Sequence, residues 1–384
     1  MANENNATIE QYEKKLCFGE TVKKYAKRWF IDAFSGMAQG LFCTLIAGTI
    51  LALIAKWVGD NYIGNTLNAI ANNAKSLMGA GIGVGIAFAL TKNKLLIFSC
   101  AVAGFVGAFA DKLVVGGAGL STLTLGAPGN PIGAYVVALL SVELVSLYVG
   151  KTKLDIILVP LGVLFIALGG VFIAWPFIKL IDLFAQLLVI TINAGSTVKI
   201  IVGVFIAVVM GVLLTMPTSS AAIWIAIASS NTALENPEVF AIAGGAAVAG
   251  CAAHMIGFAV ASYRENGVSG LISQGLGTSM LQIPNIMKKP IIMVPEIVSS
   301  AVAGLVAVLL DMRCTAAGGG MGTSGLVGLF GVIDANLIYE ISPVLTVLGI
   351  ALCLFVIPAV ITLLVSEFMR KKEWIKFGDM KLDK

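Results

Sequence analysis

Three ionisable residues stand inside long apolar runs, where a charge is expensive. Glu143 lies in the middle of the run 134–150, Glu296 about two turns into the run 290–311, and His254, the only histidine of the 384 residues, in the middle of 238–262. A charged group at the centre of a bilayer costs about 2.5–3.5 kcal/mol or more, so such residues mark function or a specific pairing. A carboxyl in this setting can hydrogen-bond a hydroxylated solute or carry a proton. Glu296 follows Val294 and Pro295, and the proline can open the helix beside it. The alternatives are a structural ion pair or a helix–helix hydrogen bond for the glutamates, and a satisfied buried imidazole for His254. Asp111 and Asp311 fall at the ends of runs, where a solvated carboxylate costs little, and read as topological.

A second set of candidates is polar but uncharged. Asn130, Thr218, Ser219, Ser220, Thr323 and Ser324, with Ser121, Thr122 and Thr124, sit in stretches broken by glycine or proline. Broken helices expose backbone groups and hydroxyls near the membrane midplane, where transporters bind solutes. Small hydroxyl residues also pack helix against helix, which is the plainer alternative. No nucleophile with an adjacent base, metal cluster or phosphate-binding loop is evident, so neither an enzyme nor a cofactor is expected. The glycine runs do not follow a strand and open a helix, which speaks against nucleotide binding, and nothing suggests a nucleic-acid partner. The six cysteines form no Cys-x-x-Cys pair and read as small packing residues.

The elements that hold these residues belong in a lipid bilayer. The chain is 58% hydrophobic and 12% charged, with a mean hydropathy of +0.96 and a net charge of +4. Runs of about 20 apolar residues cross about 30 Å of hydrocarbon as helices. Ten such spans are predicted, near 35–56, 76–91, 95–111, 134–150, 155–175, 178–194, 199–216, 238–262, 290–311 and 343–367. The basic clusters at Lys92 and Lys94, Lys151 and Lys153, Lys288 and Lys289, and Arg370 to Lys372 all fall on one side, which places both termini in the cytoplasm. Residues 1–30 are polar, lack the apolar core of a signal peptide, and read as a cytoplasmic amphipathic segment.

One stretch occurs twice. Residues 101–111 read AVAGFVGAFAD and residues 301–311 read AVAGLVAVLLD, and each runs on into a glycine-rich segment. The expected fold is therefore an all-α polytopic membrane protein of about ten transmembrane helices in two parallel repeats, each with a Gly-rich re-entrant segment. The expected boundaries are 1–30 for the N-terminal segment, 31–176 for the first repeat, 177–198 for a connecting helix, 199–368 for the second repeat and 369–384 for a cytoplasmic tail. Residues 113–133 are the first re-entrant candidate, and 217–220, 267–287 and 316–331 are further breaks. Internal duplication with broken segments is a transporter's architecture.

Four strings carry a family resemblance: GAPGNPIGAYV (126–136), LTMPTSSAAI (214–223), GLGTSMLQIPNI (275–286) and GGGMGTSGLVG (318–328). Together they resemble the membrane IIC-like proteins of the sugar phosphotransferase system, in particular the subgroup that includes the toxin regulator PfoR. The resemblance covers nearly all of the chain past residue 30. It implies a bacterial inner-membrane solute carrier that assembles as a homodimer, with a transport domain moving against a scaffold. Sugar-transporting members carry a Gly-Ile-Thr-Glu motif whose glutamate contacts sugar, which Val294, Pro295 and Glu296 echo only loosely. Phosphoryl transfer would need separate cytoplasmic phosphotransferase subunits. Two functions are consistent with these features: a permease for a small polar solute, sugar-like or a small carboxylate, or a membrane-embedded sensor that keeps the carrier fold and signals through its cytoplasmic ends.

Overall fold

The computed structural model describes residues 18–115, 129–216 and 219–382, and the described residues contain helices and no strand. The first long helix, α1 (Val22–Val58), runs on without a break from Phe18, so the described part of the expected surface segment is continuous with the first span. It contains two π-helical turns, Arg28–Asp32 and Phe42–Ile46. Then come α2 (Tyr62–Ser76) and α3 (Met78–Leu90), bent by 52° against each other, α4 (Lys94–Ala108) and α5 (Pro131–Ser146). The second half holds α6 (Asp155–Asn193), α7 (Ser196–Thr215), α8 (Ser220–Ala228), α9 (Pro237–Ala261), α10 (Val294–Leu309), α11 (Val327–Ile338) and α12 (Pro343–Lys371).

Among the described residues six helices are long and apolar enough to cross a membrane, or up to seven if the bent pair α2–α3 is one span. The sequence-based number of ten differs for two reasons. The stretches 155–175 and 178–194 form one helix, α6, of 39 residues, with Pro160 and Pro176 inside it. Lys179 and Asp182, which resemble a boundary, are 3.9 Å apart one turn along α6, and Asp182 also accepts from Asn231 Nδ2 and the Thr232 amide. The polar pair is satisfied in place, and the helix has no need to end. The remaining difference comes from α4 and α5, which are apolar but shorter. Most of the first re-entrant candidate, residues 116–128, lies outside the described residues, as do Pro217 and Thr218.

Two packed groups of helices result. In the first, α1, α3, α4, α5 and α6 share a core that includes Met37, Ile82, Leu96, Val137 and Val171. In the second, α9 is the central element. The most apolar window of α9 is 89% buried, against 28% for α6, whose Phe165, Leu168 and Phe172 face outward as lipid-facing side chains do. Helices α7, α10 and α12 surround α9.

The repeated Ala-Val-Ala-Gly motif does similar work in both groups. Gly104 on α4 meets the backbone of Gly79 and Gly83 on α3, and Gly304 on α10 meets Gly203 and Ala207 on α7. Small residues let membrane helices approach until their backbones touch. A side chain at Gly104 would drive α3 and α4 apart, and overpacking of this kind costs about 1–3 kcal/mol. Gly104→Val is therefore expected to lower the melting temperature of the detergent-solubilised protein, whereas Gly169→Ala, with nothing within 4 Å of the added Cβ, leaves it unchanged or raises it. Equal melting of Gly104→Val and the parent protein would contradict this packing.

Candidate functional site

Three of the four strings singled out in the sequence come together in space. The chain leaves α7 at Thr215 and re-enters helix at α8, where Ser219 caps the new helix by accepting from the Ala222 amide at 3.1 Å. Ser220 Oγ donates to the Gly320 carbonyl at 2.7 Å, tying the start of α8 to the glycine-rich string 318–328. That string is in turn tied to 275–286: Thr323 Oγ1 donates to the Gly275 carbonyl at 2.6 Å and Ser324 Oγ to the Gly277 carbonyl at 2.9 Å. The turn at Gly322 has φ +56°, and a Cβ there would come within 2.9 Å of Cys251 and Ala252, so both the backbone conformation and the space require glycine.

Between these strings and α1 lies a partly open cleft of about 290 Å³. One wall is a single face of α1, formed by Ile31, Ser35, Ala38 and Phe42, whose spacing puts them in one row along a helix. The other walls are Leu214 with Ser219 to Ala221, then Gly277, Thr278 and Met280, then Met321 and Ser324. Among the described residues none of the lining side chains is ionisable. Four of the five lining hydroxyls divide into two kinds, with Ser35 the fifth. Ser220 and Ser324 give their protons to carbonyls and keep lone pairs for an incoming donor. Ser219 and Thr278 accept backbone amides, from Ala222 and Met280, and keep their protons to donate.

Thr215, at the end of α7, stands one residue behind this wall. Its Oγ1 is 2.8 Å from His254 Nδ1 and 2.9 Å from Ser279 Oγ, and all three side chains are fully buried. His254 is thus one layer behind the cleft, with Nε2 unpartnered among the described residues. Glu296 is in the first turn of α10, fully buried and not in the cleft lining, and both carboxyl oxygens lack a partner among the described residues.

The remaining candidates are elsewhere. Glu143 is in the last turn of α5, where it receives Arg28 Nε at 2.6 Å and Trp29 Nε1 at 3.2 Å, so its charge is used to hold α1 against α5. Asn130 caps α5 by accepting from the amides of Ile132 and Gly133. Thr323 is buried behind Ser324 and uses its hydroxyl on Gly275. Thr218 lies outside the described residues. Sequence reasoning missed Ser35 and Thr278. The only signal for Ser35 is the 31, 35, 38, 42 spacing along an otherwise ordinary apolar helix.

Next to this site the C-terminal segment folds back. Glu265 pairs with Arg370 at 3.2 Å and accepts from the amides of Gly378 and Met380, while Gln282 and Asn266 donate to the Met380 carbonyl. Met380 and Ile375 are buried among Phe258, Ile286 and Ile292. Lys289 reaches Asp379 at 2.7 Å. Partial burial works against the Asp379 charge, but the Lys289 ammonium and the Lys376 amide outweigh it and hold this carboxyl below the usual aspartate range.

No curated protein and no solved structure matches the chain. A family model described as phosphotransferase system, EIIC, matches residues 31–382, from the wall of the cleft on α1 to the docked C-terminal segment. EIIC domains are membrane permease components, and a match of this extent means that the chain belongs to the EIIC family of the phosphotransferase system.

Proposed function

We propose that the chain is a permease for a neutral, hydroxyl-rich solute of the sugar class, bound in the cleft between α1 and the three broken strings. The observation that carries this reading is the lining itself: five hydroxyls, of which Ser219 and Thr278 are left able to donate and Ser220 and Ser324 able to accept, with Ser35 the fifth, apolar walls and no ionisable side chain among the described residues. A polyol matches such a lining group for group, whereas a small carboxylate would find no cation there. On this reading the solute moves by alternating access in a homodimer in the bacterial inner membrane, with both termini cytoplasmic. The two halves are parallel repeats whose Gly-rich segments are re-entrant, and phosphate, where it is used, comes from separate cytoplasmic phosphotransferase subunits.

The reading is tested by thermal-shift measurements on the protein in detergent against sugars, polyols, sugar acids and small carboxylates, since a ligand that binds only the folded state raises its melting point. Neutral sugars or polyols are expected to give the shifts. Ser35→Ala and Ser324→Ala are each expected to weaken binding about 3- to 10-fold, the effect of one neutral hydrogen bond. Shifts confined to carboxylates would refute the assignment.

One observation favours a second reading, in which the fold is a sensor signalling through its cytoplasmic end. The docked segment 372–382 is bonded to residues 265–289, and Gly277, Thr278 and Met280 of that same stretch line the cleft. Occupancy of the cleft can therefore bear on the tail. Glu265→Ala removes the acceptor of two tail amides and is expected to speed hydrogen exchange at residues 378–382 about tenfold. If a cleft ligand changes exchange at the same amides, the sensor reading gains; if tail exchange ignores every ligand that shifts melting, it falls.

A further inference from the structure

The buried polar atoms around α9 that have no partner among the described residues include those of three groups: Glu296 through both carboxyl oxygens, Thr362 through Oγ1 and His254 through Nε2. Buried polar atoms are nearly always paired, so a cluster of exceptions calls for a cause. Two of the three meet at one point. A Cβ on Gly257 would lie 2.8 Å from Thr362 Oγ1 and 3.1 Å from Glu296 Cγ, so the carboxyl of α10 and the hydroxyl of α12 both pack on the same bare turn of α9. His254 is one turn earlier on α9. Its other nitrogen continues into the hydrogen-bonded chain His254–Thr215–Ser279, and the neighbours Leu214, Thr278 and Met280 line the cleft.

We propose that Glu296 carries a transported proton and that the chain Ser279–Thr215–His254 leads from beside the cleft to one turn of α9 away from it. This rests on the permease reading. Loading passes a proton from the cleft side along the two hydroxyls and the imidazole and, once His254 and Glu296, which share no hydrogen bond here, are brought together, on to the Glu296 carboxylate; unloading returns it to water on the other side of the membrane, with no bond made except to that proton. A chain of hydroxyls and an imidazole suits this, because each group accepts one proton as it gives up another. The site is built for a proton and not a metal cation: one carboxyl and one hydroxyl pack closely on Gly257, well short of the six or so oxygens a hard cation collects. Among the described residues no fixed positive charge competes for the carboxyl. Around it, α9 contributes His254 and Cys251 and, at its start, Glu238 paired with Arg313. Helix α7 contributes Lys199, paired with Asp311, and α12 contributes Glu367 and Arg370, paired with Arg264 and Glu265. Before α10, Lys289 is paired with Asp379.

The test needs no solute. Infrared difference spectra of the full-length protein in lipid, recorded between acid and alkaline buffer, are expected to contain a protonated-carboxyl band from one residue. Glu296→Gln removes the band and Glu143→Gln keeps it. Thr215→Val leaves the band but slows its exchange with deuterium by about an order of magnitude or more, as loss of a proton-relay group does. A hydrophobic carbodiimide, which attacks protonated carboxyls in apolar surroundings, labels Glu296 in the unmodified protein, and labelling falls as pH rises; this arm stands even if a variant fails to fold. The proposal is overturned if the band survives Glu296→Gln, if the carboxyl neither titrates nor labels, or if sodium at constant pH raises the melting point and blocks labelling. It is also overturned if Glu296→Gln weakens binding of a cleft ligand as strongly as Ser35→Ala does, which would make Glu296 a solute contact. A proton site with no cleft ligand among the neutral solutes would instead count against the solute assignment and leave the proton site standing.

Discussion

Inside hydrocarbon a backbone amide or carbonyl has no water to bond, so every interruption of a helix must find its partners within the protein. The structure meets that requirement by making the interruptions satisfy one another. Carbonyls freed at Gly275, Gly277 and Gly320 take their protons from Thr323, Ser324 and Ser220 of a neighbouring broken string. Three unstable breaks become one stable knot, and the cleft is the space that the knot leaves against α1. The hydroxyls that line it are therefore first of all structural. Their remaining donor or acceptor capacity is what a solute can use.

The same economy governs the charges. Glu143 is neutralised by Arg28 and Asp182 by Lys179, and Asn231 donates hydrogen bonds to both Asp182 and Asp111. The two aspartates that close the matching stretches are used differently, since Asp111 meets an amide and Asp311 meets Arg313 at 2.8 Å. Against this background Glu296 stands apart: it is as deeply buried as any residue of the core and has no counter-charge among the described residues.

The class of molecule is legible in composition, and the broken strings are legible in their glycines, prolines and hydroxyls. Their meeting place is not. It depends on carbonyl acceptors, which every residue possesses, joined over separations of 48 and 100 positions in sequence. Ser35 is hidden for another reason, because a serine inside an apolar run reads as packing until the opposite wall is known. Glu143 stands alone in the sequence because its partner Arg28 lies 115 residues away, on a segment expected to stay at the surface. Dividing α6 into two spans takes Pro176, Lys179 and Asp182 as a boundary, and they are accommodated within one helix.

The wall contributed by α1 has a property of its own. Its cleft-facing row, Ile31 to Phe42, begins within one π-helical turn and ends within another. A π turn holds one surplus residue, and passing that surplus along a helix shifts each residue it passes by one position, a rotation of about 100°. One step would replace the row Ile31, Ser35, Ala38 and Phe42 by Asp32, Gly36, Gln39 and Cys43; the opposite step would present Phe30, Phe34, Met37 and Leu41. The first row is polar and the second wholly apolar. What holds the present register is backbone contact of Gly36 and Gly40 with Gly85 and Gly81 on α3. The chemistry of the cleft is thus set by the angular position of one helix, and two glycine contacts act as its detent.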